Sequence, residues 1–361
     1  MHPKVSVIIS VWNGKETIIR CLNSVLAQTL PDWECIVVDD GSTDGTGRLL
    51  QSFQSGHPRI QVHAIPHGGV SRAKNLGMEM AAGETITFVD CDDFLEPTAL
   101  SALYQHMSDT KADVAIGHLC LEDLQGRPLP GTPPLQADKR LFSPQAAVET
   151  IFQGQPFAGH LPGKLLRADR FREFRYREDI SIYEDMLFCA ECLRHARLIA
   201  YLPKVVYHYV VHPGGAMAAT LTQRKASSLS ACAALCALVQ NDFPAILPAA
   251  RRFATQNALW VLEEWMAIPA ATRKEAWALA TRKAACQTVR SWPIPAGLSK
   301  IQRCFGIALK MGWPFFVMLF RGPFRLLQLL NLPNFVKGKN HKLHMADDLI
   351  PRENVRHVKN F

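Results

Sequence analysis

Three carboxylates fall within four residues, at Asp90, Asp92 and Asp93, directly behind the apolar run Thr85-Ile86-Thr87-Phe88-Val89. A run of that length and composition reads as a short buried strand. Carboxylates crowded at its end repel one another and resist burial, so the fold must bring that strand end to an open rim. A divalent cation would relieve the crowding. Hard ions such as Mg²⁺ and Mn²⁺ take carboxylate oxygens and leave coordination room for the phosphate oxygens of a ligand. A solvated acidic turn is the alternative for such a cluster on its own.

Two more strands end in the same way. Val5-Ser6-Val7-Ile8-Ile9-Ser10-Val11 runs into Trp12-Asn13-Gly14, and Cys35-Ile36-Val37-Val38 runs into the turn-rich stretch Asp39-Asp40-Gly41-Ser42-Thr43-Asp44-Gly45. Between them, Ile18, Ile19, Leu22, Val25 and Leu26 recur at helical spacing within Glu16 to Leu30. Thr43 or Asp44 can cap a second helix holding Leu49, Leu50 and Phe53, and Ser71 to Ala82 is a third. The order β-α-β-α-β-α-β predicts a parallel sheet with helices on both faces. Such sheets take ligands outside the carboxyl ends of their strands, where Trp12-Asn13, Asp39-Asp40 and Asp90 to Asp93 all fall.

The segments VSVIISVWNG (Val5 to Gly14), VVDDGSTDGT (Val37 to Thr46), GVSRAKNLG (Gly69 to Gly77) and FVDCDDFLEP (Phe88 to Pro97) resemble the signature of the family 2 glycosyltransferases. These are inverting enzymes that use nucleotide-diphosphate sugars. The likeness continues more weakly through GKLLRADRF (Gly163 to Phe171), YEDMLF (Tyr183 to Phe188) and VYHYVVHPGGAM (Val206 to Met217), covering roughly residues 3 to 218. It implies an α/β fold of the GT-A type, Rossmann-like, with a mixed, mostly parallel sheet flanked by helices.

The resemblance also implies roles. Ser10, Trp12 and Asn13 belong to the donor pocket, with Trp12 lining the nucleotide base and Asp40 hydrogen-bonding it. Lys74 and Asn75 lie alongside the nucleotide and phosphates. Asp90 faces the ribose and metal-bound water, and Asp92 binds the metal, Mn²⁺ or Mg²⁺. Asp185 is the catalytic base at the start of a helix, where exposed N–H groups stabilise a carboxylate, and Glu184 orients it or the sugar. His212, or else His208, meets the diphosphate or the metal. The loop from Pro213 to Thr220 could order over a bound donor. The chain departs from the usual family pattern in having Ser10 for Pro, Trp12 for Tyr or Phe, and Lys74 for Arg. Trp12 keeps an aromatic face, whereas Lys74 keeps the charge without the planar fork. These groups match what sugar transfer needs: charge neutralisation at the leaving diphosphate, a base at the acceptor hydroxyl, and both reactants held in line.

After the catalytic region (1–220), residues 221–299 are Ala-rich, with helical patterns over Thr222 to Asn241, Ile246 to Met266 and Ala271 to Trp292. Leu259, Val261, Leu262 and Trp265 are the expected core of this C-terminal helical region. Residues 300–361 form a third part. They carry eleven Lys or Arg against three Asp or Glu, an excess of +8 that equals the formal charge of the whole chain. Arg303, Lys310, Arg321, Arg325 and Gln328 would fall within a wedge of roughly 60° on one helix, under a wide apolar face. That pattern suits a helix lying in an anionic membrane surface, broken by Pro314 and Pro323; packing on the protein's own core is the alternative. The longest run without a charged residue, Met311 to Phe320, is well short of the about 20 residues a bilayer crossing needs. Nucleic acid is not an expected partner, because no nucleic-acid fold signature accompanies the charge.

The Pro-rich stretch from Arg127 to Pro134 reads as a surface loop. Val5 to Val11 is too short for a signal peptide. Ten scattered Cys, several in apolar helical contexts, suggest reduced thiols, and no Cys/His spacing resembles a zinc site. The expectation is an inverting, metal-dependent glycosyltransferase, peripheral on the cytoplasmic side of the inner or plasma membrane. It would take a nucleotide-diphosphate sugar, UDP-linked as first choice, to a hydroxyl of a glycan or lipid-linked glycan in bacterial surface polysaccharide or lipopolysaccharide synthesis. A sugar nucleotidyltransferase is a second reading, but Trp12-Asn13-Gly14-Lys15 lacks the Gly-rich basic loop such enzymes carry after the first strand. A non-catalytic nucleotide-sugar-binding scaffold is a third, opposed by the intact set of Asp90, Asp92 and Asp185.

Overall fold

The structure, a computed structural model, describes residues 2–129, 138, 140–212 and 220–313. The chain divides into two compact units, Met1–His212 and Pro213–Phe361.

In the first unit, strands β1 (Val5–Val11), β2 (Trp33–Asp39), β3 (Ile60–Ala64) and β4 (Thr85–Asp90) alternate with helices α1 (Ile18–Leu26), α2 (Thr46–Ser55) and α3 (Val70–Met80). These strands lie in the order β3-β2-β1-β4 and are parallel throughout. β1 is buried at all seven positions, because a central parallel strand is covered on both faces. Gly77 permits the close approach of α3. A Cβ there would lie 2.4 Å from Cγ2 of Ile8 on β1.

The remaining strands are β5 (Phe94–Leu95), β6 (Val114–Glu122), β7 (Arg140–Phe142), β8 (Lys164–Arg167) and β9 (Ile199–Val210). They extend the sheet past β4 in the order β8-β6-β9-β5, with β7 also on β9. β8 runs antiparallel to both β4 and β6, β6 and β9 are parallel, and β5 and β7 are antiparallel to β9. The result is a mixed sheet, as the GT-A resemblance implies. Helices α4 (Ala99–Thr110), α5 (Pro144–Gln153), α6 (Ala168–Phe171) and α7 (Glu184–His195) complete this unit.

The second unit is helical: α8 (Gln223–Ala226), α9 (Ser228–Asp242), α10 (Leu247–Ala267), α11 (Ala276–Arg290) and α12 (Lys300–Met311). Leu259, Val261, Leu262 and Trp265 are buried in its core, as their spacing predicts. α12 behaves differently from the expected in-plane membrane helix. Its Phe305, Ala308 and Leu309 are buried in the same core. Lys310 donates to the Trp292 carbonyl at 2.9 Å, and Arg290 donates to the Leu309 carbonyl at 2.9 Å. This apolar stripe closes a helical core, so residues 300–313 belong with the helices before them. No helix among the described residues is long and apolar enough to cross a membrane. Most of the Pro-rich loop (130–134), the expected lid over 213–219 and the basic stretch 314–361 lie outside the described residues.

Candidate active site

The first cluster forms where β1 and β2 end. Trp12 is 51% exposed, and its ring stacks on His67 with centroids 4.7 Å apart. Asn13 adopts φ 54°, a left-handed conformation Asn tolerates better than most residues. Its backbone N–H donates to Ser42 Oγ and its side-chain oxygen accepts from the Thr43 N–H, both at 2.8 Å. Asp39 accepts from the Ser42 N–H at 3.0 Å. Asp40 is buried. It accepts from the N–H groups of Gly68 (2.7 Å) and Gly69 (2.8 Å) and faces Nδ1 of His67 at 2.8 Å. Asp40 thus braces the turn that carries His67. No sequence motif singles out His67; its contacts with Asp40 and Trp12 bring it into the site. Ser10 is buried on β1, in register with Val38 and Asp90.

The second cluster is the Asp90–Asp93 turn. The thiol of Cys21 donates to the Asp90 carbonyl at 3.6 Å, the Arg20 guanidinium donates to the Asp92 carbonyl, and the Asp93 N–H donates to the Asp90 carbonyl at 3.1 Å. The three acids do different things. Asp93 is 1% exposed, accepting from the Tyr207 hydroxyl at 2.7 Å and the Val210 N–H at 2.8 Å. Burial, reinforced by Asp92 and Asp90, pushes its carboxyl well above the usual range. The Tyr207 oxygen in turn accepts from the Asp90 N–H at 3.1 Å. Asp93 therefore ties the turn to β9, and Asp90 and Asp92 are left at the rim. Nε2 of His212 is buried without a hydrogen-bond partner and lies 3.7 Å from Oδ2 of Asp92. A carboxylate oxygen beside an orphaned imidazole nitrogen is a donor set that fits a divalent cation.

The third cluster opens α7. Tyr183 turns into the helix at φ 65°, a conformation costing a non-glycine residue about 1–2 kcal/mol and found disproportionately at functional sites. Glu184 and Asp185 then occupy the first turn, where the helix dipole favours negative charge. Nζ of Lys74 lies 3.0 Å from Oδ1 of Asp185 and 3.4 Å from Oδ1 of Asp90. Burial alone would lower the Lys74 ammonium, but Asp185, Asp90 and Glu184 outweigh it and raise it above its ordinary value. Burial pushes the Asp90 carboxyl up to about 6, with Lys74 opposing and Asp185 and Asp92 adding to the shift. Burial and then Asp185 push Glu184 up to about 7.

α3 presents one face to this region, as positions i, i+3 and i+4 of a helix must. Ser71 donates to the Ile180 carbonyl at 3.4 Å. The Asn75 amide donates to the Tyr176 carbonyl at 3.0 Å and accepts from the Tyr176 N–H at 2.7 Å. Asn75, expected along the nucleotide, is buried and engaged with the segment leading to Asp185. Lys74 stands between Asp90 and Asp185. His208 does not join Asp92: its two ring nitrogens face Glu122 at 2.5 Å and Glu96 at 2.7 Å.

This rim holds an exposed aromatic, a strand-end acidic pair and a buried lysine joined to a helix-start acid. Residues 6–130 match the family model for glycosyl transferase family 2. Residues 6–130 thus carry a glycosyl transferase family 2 domain. Among its curated relatives, glycosyltransferase GlyG of Streptococcus pneumoniae serotype 4 is 38% identical over 119 residues, 33% of this chain and 40% of that protein. The poly(ribitol-phosphate) beta-glucosyltransferase of Bacillus spizizenii is 28% identical over 218 residues, 59% of this chain and 33% of that protein. The chain thus spans less than two thirds of the length of these relatives. The solved structure of S. aureus TarS 1-349 in complex with UDP-GlcNAc has TM-score 0.66 at 18% identity, covering 90% of this chain and 92% of that one, a likeness of fold. The glycosyltransferase domain accordingly has the GT-A architecture, with helix α7, which carries Glu184 and Asp185, outside the segment matched by the family model.

Proposed function

We propose that the protein transfers a sugar from a nucleotide-diphosphate donor, UDP-linked in the first instance, to a hydroxyl of a glycan or lipid-linked glycan. The configuration at the anomeric carbon inverts. The observation that carries this reading is the Asp90–Lys74–Asp185 relay, which sets a helix-start carboxylate beside the donor-side acid and leaves Asp92 and Trp12 at the same rim. The complex of TarS with UDP-GlcNAc supports a UDP-sugar as the first donor to try.

Trp12 offers its exposed face to the nucleotide base, and the Asp40-braced turn holds the Trp12–His67 stack in place. Asp92 and Nε2 of His212, with Asp90 beside them, would hold Mn²⁺ or Mg²⁺, which supplies charge neutralisation to the leaving diphosphate. Asp185 accepts the proton of the acceptor hydroxyl as that oxygen bonds to the anomeric carbon and the bond to the diphosphate breaks. Lys74 keeps Asp185 placed for this step, and Glu184 is available to the incoming sugar or hydroxyl. The acceptor class rests on chemistry beyond the site. The basic, aromatic stretch after residue 313 suits an anionic membrane surface on the cytoplasmic side, where a lipid-carried glycan would be found. The poly(ribitol-phosphate) relative points to bacterial surface polymers more than to free sugars.

A thermal-shift panel of nucleotide sugars with and without Mn²⁺ tests the donor reading, since a ligand that binds only the folded state raises the melting temperature. The expected result is a metal-dependent rise with one UDP-sugar that is lost in Asp92→Ala. A rise independent of both metal and Asp92 would overturn the site. For the membrane reading, truncation after Trp313 keeps the α12 core intact and should abolish co-sedimentation with anionic vesicles. Unchanged binding by the truncated protein would refute the tail as anchor.

A further inference from the structure

The first unit carries a second cluster of metal-binding side chains that the transfer chemistry does not use. Cys120 and Glu122 on β6 are two residues apart, so they share one face of the strand. The parallel register sets His208 of β9 beside Cys120. One ligand atom from each of these three residues lies within 4.8 Å of the other two. The His208 ring is locked from two directions. Phe94 of β5 stacks on it at 4.4 Å with planes 4° apart, and Glu96 faces its Nε2 at 2.7 Å. Its Nδ1 is thereby directed at Glu122, 2.5 Å away.

We propose that Cys120, Glu122 and Nδ1 of His208 form a site for Zn²⁺ or a similar borderline transition ion. A sulfur, a nitrogen and an oxygen donor together suit Zn²⁺ and discriminate against the hard Mg²⁺. Charge balance points the same way. Even a protonated His208 leaves the two carboxylates around it with an excess negative charge, one of them, Glu122, with a side chain only 10% exposed. A dication with one thiolate and one carboxylate makes a neutral inner set. Binding releases to solvent both the Cys120 thiol proton and the proton held between Nδ1 of His208 and Glu122. Glu96 then accepts from Nε2–H of His208, the outer carboxylate that characteristically fixes a ligating imidazole. Such an ion would tie β6 to β9 and, through the contacts of Phe94 and Glu96 with His208, hold β5, which follows the Asp90–Asp93 turn, against them. It is distinct from the cation expected at Asp92, and its presence does not depend on the transfer reaction.

Cobalt titration of the full chain after chelator treatment tests the site. The expected result is one equivalent of Co²⁺ giving a near-ultraviolet thiolate-to-cobalt band, displaced by Zn²⁺ and untouched by excess Mg²⁺. The band should be lost in Cys120→Ser and His208→Ala and retained in Cys304→Ser, a change at an exposed thiol. Glu96→Gln keeps all three ligands, so it tests the site even if a ligand variant fails to fold. It should weaken Co²⁺ and Zn²⁺ by roughly 10–100-fold. Absence of the band, its persistence in Cys120→Ser, or equal affinity in Glu96→Gln would overturn the proposal and leave His208 as a ring hydrogen-bonded between Glu122 and Glu96.

Discussion

On the proposed donor side of the rim, polar groups are satisfied by hydrogen bonds between side chains and backbone of neighbouring loops. Asn13 is bound by Ser42 and Thr43, Asp39 by Ser42, and Asp40 by Gly68 and Gly69. On the proposed base side, Asp90, Glu184 and Asp185 share the ammonium of Lys74, brought from a helix 111 positions before Asp185. The first half is a finished scaffold that awaits a ligand's shape. The second is an under-compensated electrostatic cluster that awaits a ligand's charge, because burial and mutual repulsion hold Asp90 and Glu184 above the ordinary carboxylate range. Preorganisation of this second kind lowers folding stability, and it becomes useful only when substrate and cation arrive.

The contrast predicts a graded set of effects. The largest is on turnover. Asp185→Asn should lower kcat by roughly 10²–10⁴-fold, the usual contribution of a general base, while donor binding by titration calorimetry stays close to that of the parent. Retained turnover would remove Asp185 from the chemistry and the base side with it. The next effect is on folding. Lys74→Met strips the shared ammonium from three acids and should cost about 3–5 kcal/mol in chemical denaturation. Asn13→Ala on the donor side, losing one hydrogen bond and a favourable left-handed residue, should cost about 1–2 kcal/mol. Equal costs at the two positions would erase the distinction between the halves.

The smallest effect is a pH dependence. Glu184 has its folded pKa raised from 4.5 to about 7, so the folded state holds a proton that the unfolded chain has already released. Its contribution to stability is greatest below about pH 4.5 and falls as the pH rises to about 7. Glu184→Gln cannot ionise, so in metal-free protein it should gain on the parent between pH 5 and pH 8. Partial solvent contact limits the gain to about 1–2 kcal/mol. Parallel stability curves for the two proteins would show that Glu184 is not strained.

The second unit offers a lesson on amphipathic patterns. Basic residues on one stripe of a helix and aromatics around it suit a membrane surface and a protein core equally well, since both reward burial of the same apolar area. The pattern of α12 suits the start of a membrane-seeking segment, yet Phe305, Ala308 and Leu309 are buried against α10 and α11. Which apolar surface a helix faces is a property of its neighbours, and sequence periodicity does not carry it.

Alternation of short apolar runs with helical periodicities determined the parallel half of the sheet. The position of polar residues at the ends of those runs determined where a site would form. Both are local properties, fixed by strand and helix geometry within a few dozen residues, and the family motifs add their identities. Tertiary structure alone decided the rest. It made Asp93 a brace to Tyr207 and β9, brought His67 under Trp12, turned Asn75 towards Tyr176, and set Lys74 between Asp90 and Asp185. It also brought Cys120 and Glu122 to His208 across a strand pairing that no linear spacing reveals. These contacts span tens of residues or more, and their existence depends on strand register and on which face of a helix meets the sheet. Both are settled by packing the whole core; a one-residue shift of β6 or β9, for example, would send Cys120 and Glu122 or His208 to the opposite face of the sheet.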